Sequence, residues 1–101
     1  MNLRIDPSAE DEIRSAAAWY EECRSGLGVE FLAAVDDGVQ RVSQAPESFP
    51  RLETLPEEES VRRLVLSRFP YAIIFELSDD CIHILAVAHA RRRPGYWEHR
   101  H

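Results

Sequence analysis

The residues best suited to chemistry or binding lie together near the C-terminal end of the chain. They are His89, Arg91, Arg92, Arg93, Tyr96 and Trp97. A guanidinium grips a phosphate or a carboxylate through paired N–H donors, and an aromatic ring beside it can stack on a base or fill a partner's pocket. The segment therefore predicts either a surface for an anionic partner or a site that stabilises developing negative charge. The alternative is a solvated basic tail whose Tyr96 and Trp97 fold back onto the sheet.

His89 is the candidate for proton transfer, because an imidazole takes up and releases a proton near neutral pH. A lone histidine at a strand end is more often structural, and His83 is expected in the core. Arg68 and the neighbours Arg62 and Arg63 are further cations near the predicted strands. Since alternate residues of a strand point to opposite faces, at most one of Arg62 and Arg63 can join a shared site.

Metal ions, cofactors and catalytic nucleophiles are not expected. Cys23, Cys81 and the four histidines have no spacing typical of a metal site. A phosphate-binding glycine loop, a nucleophile elbow and a metalloprotease helix motif are missing from the sequence. The sequence therefore predicts a protein without a bound metal or cofactor.

Two helices are predicted before the site. Asp6 can cap the first helix and Pro7 suits its first position, and Gly26 ends it in a turn so short that the two helices must be antiparallel. Each helix carries one apolar stripe at helical spacing. The stripes comprise Ala9, Ile13, Ala16, Ala17 and Tyr20 on the first helix, and Phe31, Leu32, Val35, Val39 and Val42 on the second.

The remaining elements are predicted to be strands. A short strand covers residues 3–5, and residues 61–66, 71–77 and 81–88 form an antiparallel meander with a hairpin turn at 78–80. The last run is apolar on both faces apart from His83, which places it in the middle of the sheet. The predicted fold class is α+β, in the order β-α-α-β-β-β, with the helical hairpin packed on one face of the sheet.

The connection between the helices and the meander is long for so small a domain. It spans residues 46–60 and contains three prolines and the acidic run Glu57–Glu59. We expect Phe49 and Leu52 to hold it against the core and the acidic run to lie in solvent.

Length and charge restrict the classes of protein that fit. The 101 residues, 45% hydrophobic and 30% charged, predict a single domain over 1–101. No apolar run approaches the ~20 residues of a membrane helix, and the start lacks the apolar stretch of a secretion signal, so we expect a cytoplasmic protein. The net charge of −6 opposes nucleic-acid binding by the whole surface. It leaves room for a local basic face, because residues 61–101 carry seven arginines against four acids.

Several stretches resemble the RelE/ParE superfamily of toxins from bacterial type II toxin–antitoxin systems. They are residues 68–76 (RFPYAIIFE), Asp79 and Asp80, residues 84–89 (ILAVAH) and residues 91–97 (RRRPGYW). Residues 6–13 (DPSAEDEI) open the helical hairpin as in ParE-like members. The resemblance covers nearly the whole chain. It implies a small toxin that a cognate antitoxin, encoded by an adjacent gene, neutralises.

The resemblance leaves two activities open. RelE-like members cut messenger RNA in the ribosomal A site, whereas ParE-like members inhibit DNA gyrase and are not nucleases. For a ribosome-dependent endoribonuclease, the resemblance implies Arg92 or its neighbour Arg91 as the strand-end arginine and Tyr96 as the C-terminal tyrosine. His89 and Arg68 are the other catalytic candidates in that case.

The ParE-like branch is the favoured interpretation. The ribonuclease branch carries an arginine after the aromatic that opens the middle strand, and Ala72 stands there in this chain. Preceding lysines of that branch are also missing, and RNA cleavage needs several converging cations. We therefore expect growth inhibition by binding a target such as gyrase, with the segment from Arg91 to Arg93, Tyr96 and Trp97 contacting target or antitoxin. A third alternative is an inactive member that only binds its antitoxin.

Overall fold

The computed structural model describes residues 1–52, 55 and 60–100. The chain forms strand β1 (Asn2–Ile5), helices α1 (Pro7–Cys23) and α2 (Leu27–Gln44), and strands β2 (Val61–Val65), β3 (Tyr71–Ser78) and β4 (Cys81–His89). Short 3-10 helices lie at Pro46–Ser48, after α2, and at Glu98–Arg100, after β4. This is the predicted β-α-α-β-β-β order. The acidic run at 57–59, expected in solvent, lies outside the described residues.

Local side chains set the bounds of the helical hairpin. Asp6 caps α1, because its carboxylate accepts the N–H of Ser8 at 2.9 Å. Gly26 has a φ of +90° in the three-residue turn between the helices, a backbone region that favours glycine. The carboxylate of Glu21 accepts the N–H groups of Gly26 and Gly28 at 2.8 and 3.0 Å, and so satisfies donors at the start of α2.

The four strands form one mixed sheet in the order β1-β4-β3-β2. The meander is antiparallel as predicted, and β1 pairs with β4 in the parallel direction. The apolar run of β4 therefore occupies an interior position, with a neighbour on each side. Its His83 is 9% exposed, which confirms that this histidine belongs to the core.

The helices cover one face of the sheet, here called the helix face. Its buried core includes Phe31, Val35, Val42, Leu64, Ile73, Phe75, Ile82 and Ile84. A Cβ at Gly38 would lie 2.7 Å from Ile73 Cδ1, which shows how closely α2 approaches the sheet. The predicted stripe of α2 is wrong at Leu32, which is 44% exposed. Leu27 and Ala34 pack against the core instead.

The C-terminal tail, residues 94–100, covers part of the opposite face, here called the tail face. A second core on this face contains Val61, Ile74, Leu85, Ala86 and Trp97. Leu85 and Ala86 are consecutive in β4, yet both point to the tail face. They do so because the register between β3 and β4 shifts at a β-bulge. Phe49 packs on the helix-face core and Leu52 on the tail-face core, so both hold their connection as expected.

The last part of β4 extends beyond its parallel neighbour. β1 ends at Ile5, opposite Ile84. The N–H of Ala90 bonds to the carbonyl of Pro70 at 2.7 Å, and alternate residues of an antiparallel pair point their backbone groups away from the partner strand. The amide of Val87 therefore points away from β3. A side chain of α1 replaces the missing strand there, because Glu12 Oε1 accepts this amide at 3.0 Å.

The same carboxylate holds the tail. Tyr96 donates its hydroxyl to Glu12 Oε2 at 2.6 Å, and Arg100 Nη1 donates to Glu12 Oε1 at 3.1 Å. Arg100 also donates to the carbonyl of Leu85 at 3.1 Å. The side chains of Arg100 and Glu12 are only 10% and 15% exposed, so this ion pair is shielded from water. One carboxylate thus joins α1, β4 and the tail.

We predict that Val35→Asp lowers the free energy of unfolding by about 3 kcal/mol or more, because Val35 is 4% exposed and a carboxylate there would be buried without a partner. Val29→Asp is the matched control, since Val29 is 68% exposed in the first turn of the same helix. Urea denaturation measures both. Equal midpoints would show that α2 is rotated from the described orientation.

We also predict that Glu12→Ala lowers the free energy of unfolding by about 3 kcal/mol, because it leaves the shielded Arg100 without its carboxylate. Glu10→Ala is the control on the same helix, where the pair with Arg14 is exposed and should contribute under about 1 kcal/mol. Thermal and urea denaturation give the comparison. A Glu12→Ala protein as stable as the Glu10→Ala protein would contradict the role given to this carboxylate.

Candidate interaction site

The predicted site residues come together at one end of the sheet. Tyr71 opens β3 directly opposite His89, the last residue of β4. The turn between β2 and β3 therefore lies beside the segment that follows β4. Arg68 belongs to this turn, and the three consecutive arginines follow His89. The topology thus brings these residues to one region of the surface.

His89 is half-buried and held by two contacts. Its Nδ1 accepts the backbone N–H of Arg91 at 3.0 Å, so the neutral ring carries its proton on Nε2. Its ring meets Tyr71 edge-on, with 5.0 Å between the centroids. One ring nitrogen of His89 is therefore used in a hydrogen bond that holds the turn after β4. This contact supports a structural role for the histidine.

Tyr96 is engaged through both its hydroxyl and its ring. The hydroxyl donates to Glu12, and the guanidinium carbon of Arg92 lies 4.0 Å from the ring centroid. Arg100 lies 5.1 Å from the same ring. Burial raises the pKa of the Tyr96 phenol, and the hydrogen bond and charge of Glu12 raise it further. The phenol is therefore protonated at neutral pH and donates to Glu12.

Trp97 is buried in the folded chain. Gly95, with a φ of +80°, turns the tail, and the indole packs in the tail-face core at 5% exposure. Trp97 therefore folds back onto the sheet, as one of the two interpretations of this segment predicts. Direct contact between Trp97 and a partner stays a prediction, and it would require the tail to move.

The arginines divide into engaged and available groups. Arg68 pairs with Glu30 at 2.5 Å, and this hydrogen bond lowers the pKa of the Glu30 carboxyl. Arg62 donates to the carbonyls of Glu47 and Phe49 at 3.2 and 2.7 Å. Arg63, its neighbour, is exposed on the other face, as strand alternation predicts.

The three consecutive arginines after β4 are all exposed. Among the ion pairs of the described part of the chain, none includes Arg63, Arg91, Arg92 or Arg93. These guanidinium groups are therefore able to take carboxylate or phosphate ligands without first breaking an internal pair.

Two clefts share a wall formed by His89, Arg92 and Tyr96. The smaller, about 350 Å³, lies on the α1 side and is bordered by Asp11 and the exposed Trp19. The larger, about 620 Å³, lies on the tail face, and we call it the arginine trough. Its lining includes Arg51, Arg63, Arg92 and Arg93 above a floor of Ala72, Ile74 and Ala88.

Sequence reasoning missed Glu12 and Trp19. Glu12 was one of three acids near the start of α1, where negative charge is favourable in any helix, and its partners lie 75 to 88 residues away in the chain. Trp19 is 60% exposed outside the apolar stripe, so a search for regularly spaced buried residues does not detect it.

Among the described side chains, no three of the His, Cys, Asp and Glu residues lie close enough together to hold a metal ion. Neither described helix has the length and apolar character needed to cross a membrane.

Three comparisons with known proteins agree. Residues 3–94 match the family model described as the ParE toxin of the type II toxin–antitoxin system parDE. Toxin ParE2 of Mycobacterium tuberculosis, in strains CDC 1551 / Oshkosh and ATCC 25618 / H37Rv, is 28% identical over 94 residues, covering 92% of this chain and 85% of the relative. The solved chromosomal ParDE TA system from P. aeruginosa shares the fold, with a TM-score of 0.66 and 24% identity over 88% of this chain and 95% of that one. This chain belongs to the ParE family of toxins from type II toxin–antitoxin systems.

Proposed function

We propose that this ParE-family toxin stops growth by binding a target, such as DNA gyrase, and that its cognate antitoxin neutralises it. The proposal assigns no bond-breaking chemistry to the protein itself. It gives the exposed arginines beyond β4 the role of contacting the target or the antitoxin, with Tyr96 and Trp97 supporting them from the tail.

The engagement of Tyr96 carries this proposal. A nuclease that used Tyr96 would need its hydroxyl near the reacting phosphate, yet this hydroxyl donates to Glu12 at 2.6 Å. Its ring is also in contact with the guanidinium of Arg92, at 4.0 Å. The hydroxyl of Tyr96 thus stabilises the tail and is not presented to a phosphate as a free catalytic group.

Arg68, the other arginine among the catalytic candidates, is engaged as well. Stabilising the charge of a transferring phosphate needs several donors aimed at one point. Arg68 is paired with Glu30, and the position after Tyr71 is the small, neutral Ala72. The arrangement therefore supports binding through distributed charge more strongly than RNA cleavage.

Expression without the antitoxin should arrest growth while leaving ribosome-bound messenger RNA intact. Growth curves measure the first effect and primer extension on cellular messages measures the second. Co-expression of the adjacent small gene should restore growth and give a co-purifying complex. Cleavage at the ribosomal A site that disappears in Arg92→Ala would overturn the proposal in favour of the ribonuclease branch. Unimpaired growth would favour the inactive member.

We further predict that Trp97→Ala relieves the arrest at least as well as Arg92→Ala. An exposed charged contact is usually worth little, whereas removing a buried Trp typically costs about 3–5 kcal/mol and frees the tail. Growth rates are compared at equal amounts of soluble toxin, measured by immunoblot. Full toxicity of Trp97→Ala beside loss of toxicity in Arg92→Ala would contradict this ranking.

A further inference from the structure

We infer that the outward face of α1, centred on Trp19, is the surface by which this toxin contacts a positively charged surface of its target protein. This inference rests on the proposed function and deepens it, because it names the contact face and the chemistry of the partner. Three observations carry it: an exposed indole, the arrangement of side chains around that indole, and the sign of the local charge.

The indole of Trp19 contributes little to the packing of the chain. It is 60% exposed, whereas Trp97 is 5% exposed. Its ring contact within the described residues is an edge-on approach to Tyr20, with 5.2 Å between the centroids. Trp19 is also the one aromatic among the large hydrophobic residues that the described part of the chain exposes. Tryptophan is enriched among the residues that dominate protein–protein binding energies, so this ring is suited to anchor a partner.

Side chains at helical spacing form a continuous exposed stripe around the indole, here called the Trp19 stripe. All of its members are exposed, and they are Asp11, Ser15, Ala18, Trp19 and Glu22. Residues three and four positions apart lie next to each other on a helix, so the stripe is about 16 Å long. Ser15 and Ala18 are small, and a carboxylate stands at each end. The stripe therefore presents one large apolar projection between two anionic ends.

A cleft beside the stripe allows a partner to interlock with this face. It is the smaller of the two clefts, about 350 Å³, and Asp11, Ser15 and Trp19 form its wall on α1. Tyr71 and His89 border it from the strands. The indole is thus a projection beside a cavity. A partner of the opposite relief excludes water around such an anchor when it docks.

The charge on α1 selects the kind of partner. Within this helix the exposed charged residues are four acids and one arginine, namely Glu10, Asp11, Glu21, Glu22 and Arg14. Arg14 pairs with both Glu10 and Asp11, and Glu22 joins none of the ion pairs of the described residues. An excess of carboxylates attracts a basic surface and repels an acidic one. The partner that fits the Trp19 stripe is therefore positively charged.

A protein that holds DNA meets this requirement. Neutralising the phosphate backbone takes lysine and arginine, so such a protein carries a basic surface. DNA gyrase, the target named in the proposed function, is of this kind. The arginines after β4 have the same sign as that surface and are less suited to meet it than the Trp19 stripe. The two regions of the toxin thus fit partners of opposite charge.

A second copy of the chain fits the stripe less well. In a two-fold symmetric pair the same patch of each copy meets itself. The carboxylates of Asp11 and Glu22 from both copies would then share one contact, and like charges placed together in this way oppose association. The stripe is therefore assigned to a different protein.

The test is biolayer interferometry between the purified full chain and purified DNA gyrase, with a supercoiling assay on the same proteins. Trp19→Ala should weaken binding by about tenfold or more, and Trp19→Phe should retain part of it because a ring remains. Asp11→Lys/Glu22→Lys should slow association by about tenfold. Asp36→Lys/Asp37→Lys is the matched control, since it changes the net charge equally at exposed positions of α2 and should bind like wild type.

Three results would overturn the inference while leaving the proposed function intact. They are inhibition of gyrase by Trp19→Ala at the wild-type concentration, equal slowing by the two double charge reversals, or a wild-type dimer in size-exclusion chromatography that becomes a monomer in Trp19→Ala. A wild-type chain that neither binds nor inhibits gyrase refutes the proposed target together with this contact face. Thermal denaturation shows that each variant is folded, as expected because every substituted residue is exposed.

Discussion

The carboxylate of Glu12 is the contact on which the packing of the C-terminal tail depends. β1 is too short to accompany β4 to its end, so backbone groups of β4 near Val87 face away from the sheet without a strand beside them. Glu12 supplies the acceptor from α1, and Arg100 supplies the donor for the carbonyl of Leu85 from the tail. A buried carboxylate is costly unless it is fully paired, and the tail completes the pairing with Tyr96 and Arg100.

This contact explains why the tail folds back onto the sheet. With Tyr96 fixed through its hydroxyl, Trp97 closes the tail-face core, and the ring of Tyr96 becomes the surface against which Arg92 lies. The neighbouring Arg93 then lines a cleft together with Arg63 of β2. The chain thus presents cations from separate elements on a fixed framework. The same fixation occupies the hydroxyl of Tyr96.

The sequence predicts most of the fold because local signals specify it. The cap at Asp6, the turn at Gly26 and the apolar run of β4 each act through residues close in the chain or through simple alternation. The position of β1 beside β4 is not encoded in this way, because a short alternating strand pairs equally well at either edge of a meander. Helical spacing predicts that Leu32 lies in the core, although the buried stripe of α2 passes through Leu27, Ala34 and Gly38 instead.

The site is only partly predictable from the sequence, because its deciding contacts join residues that are far apart in the chain. The arginines and Tyr96 are conspicuous by type and spacing, and chain reversal at β3 and β4 brings Arg68 near them. The contacts that decide what these residues can do are long-range, and the pairing of Glu12 with Tyr96 spans 84 positions. No periodicity or composition identifies such a pair. It becomes visible only when α1, β4 and the tail are placed together.

The most direct test of the proposed function is a supercoiling assay with purified DNA gyrase and the purified protein, with a parallel reaction containing programmed ribosomes. We expect that increasing amounts of the protein stop supercoiling, that the co-expressed antitoxin restores it, and that ribosome-bound messenger RNA remains uncut. Gyrase that stays fully active while the messenger RNA is cleaved in the A site would contradict the central claim that this toxin acts by binding.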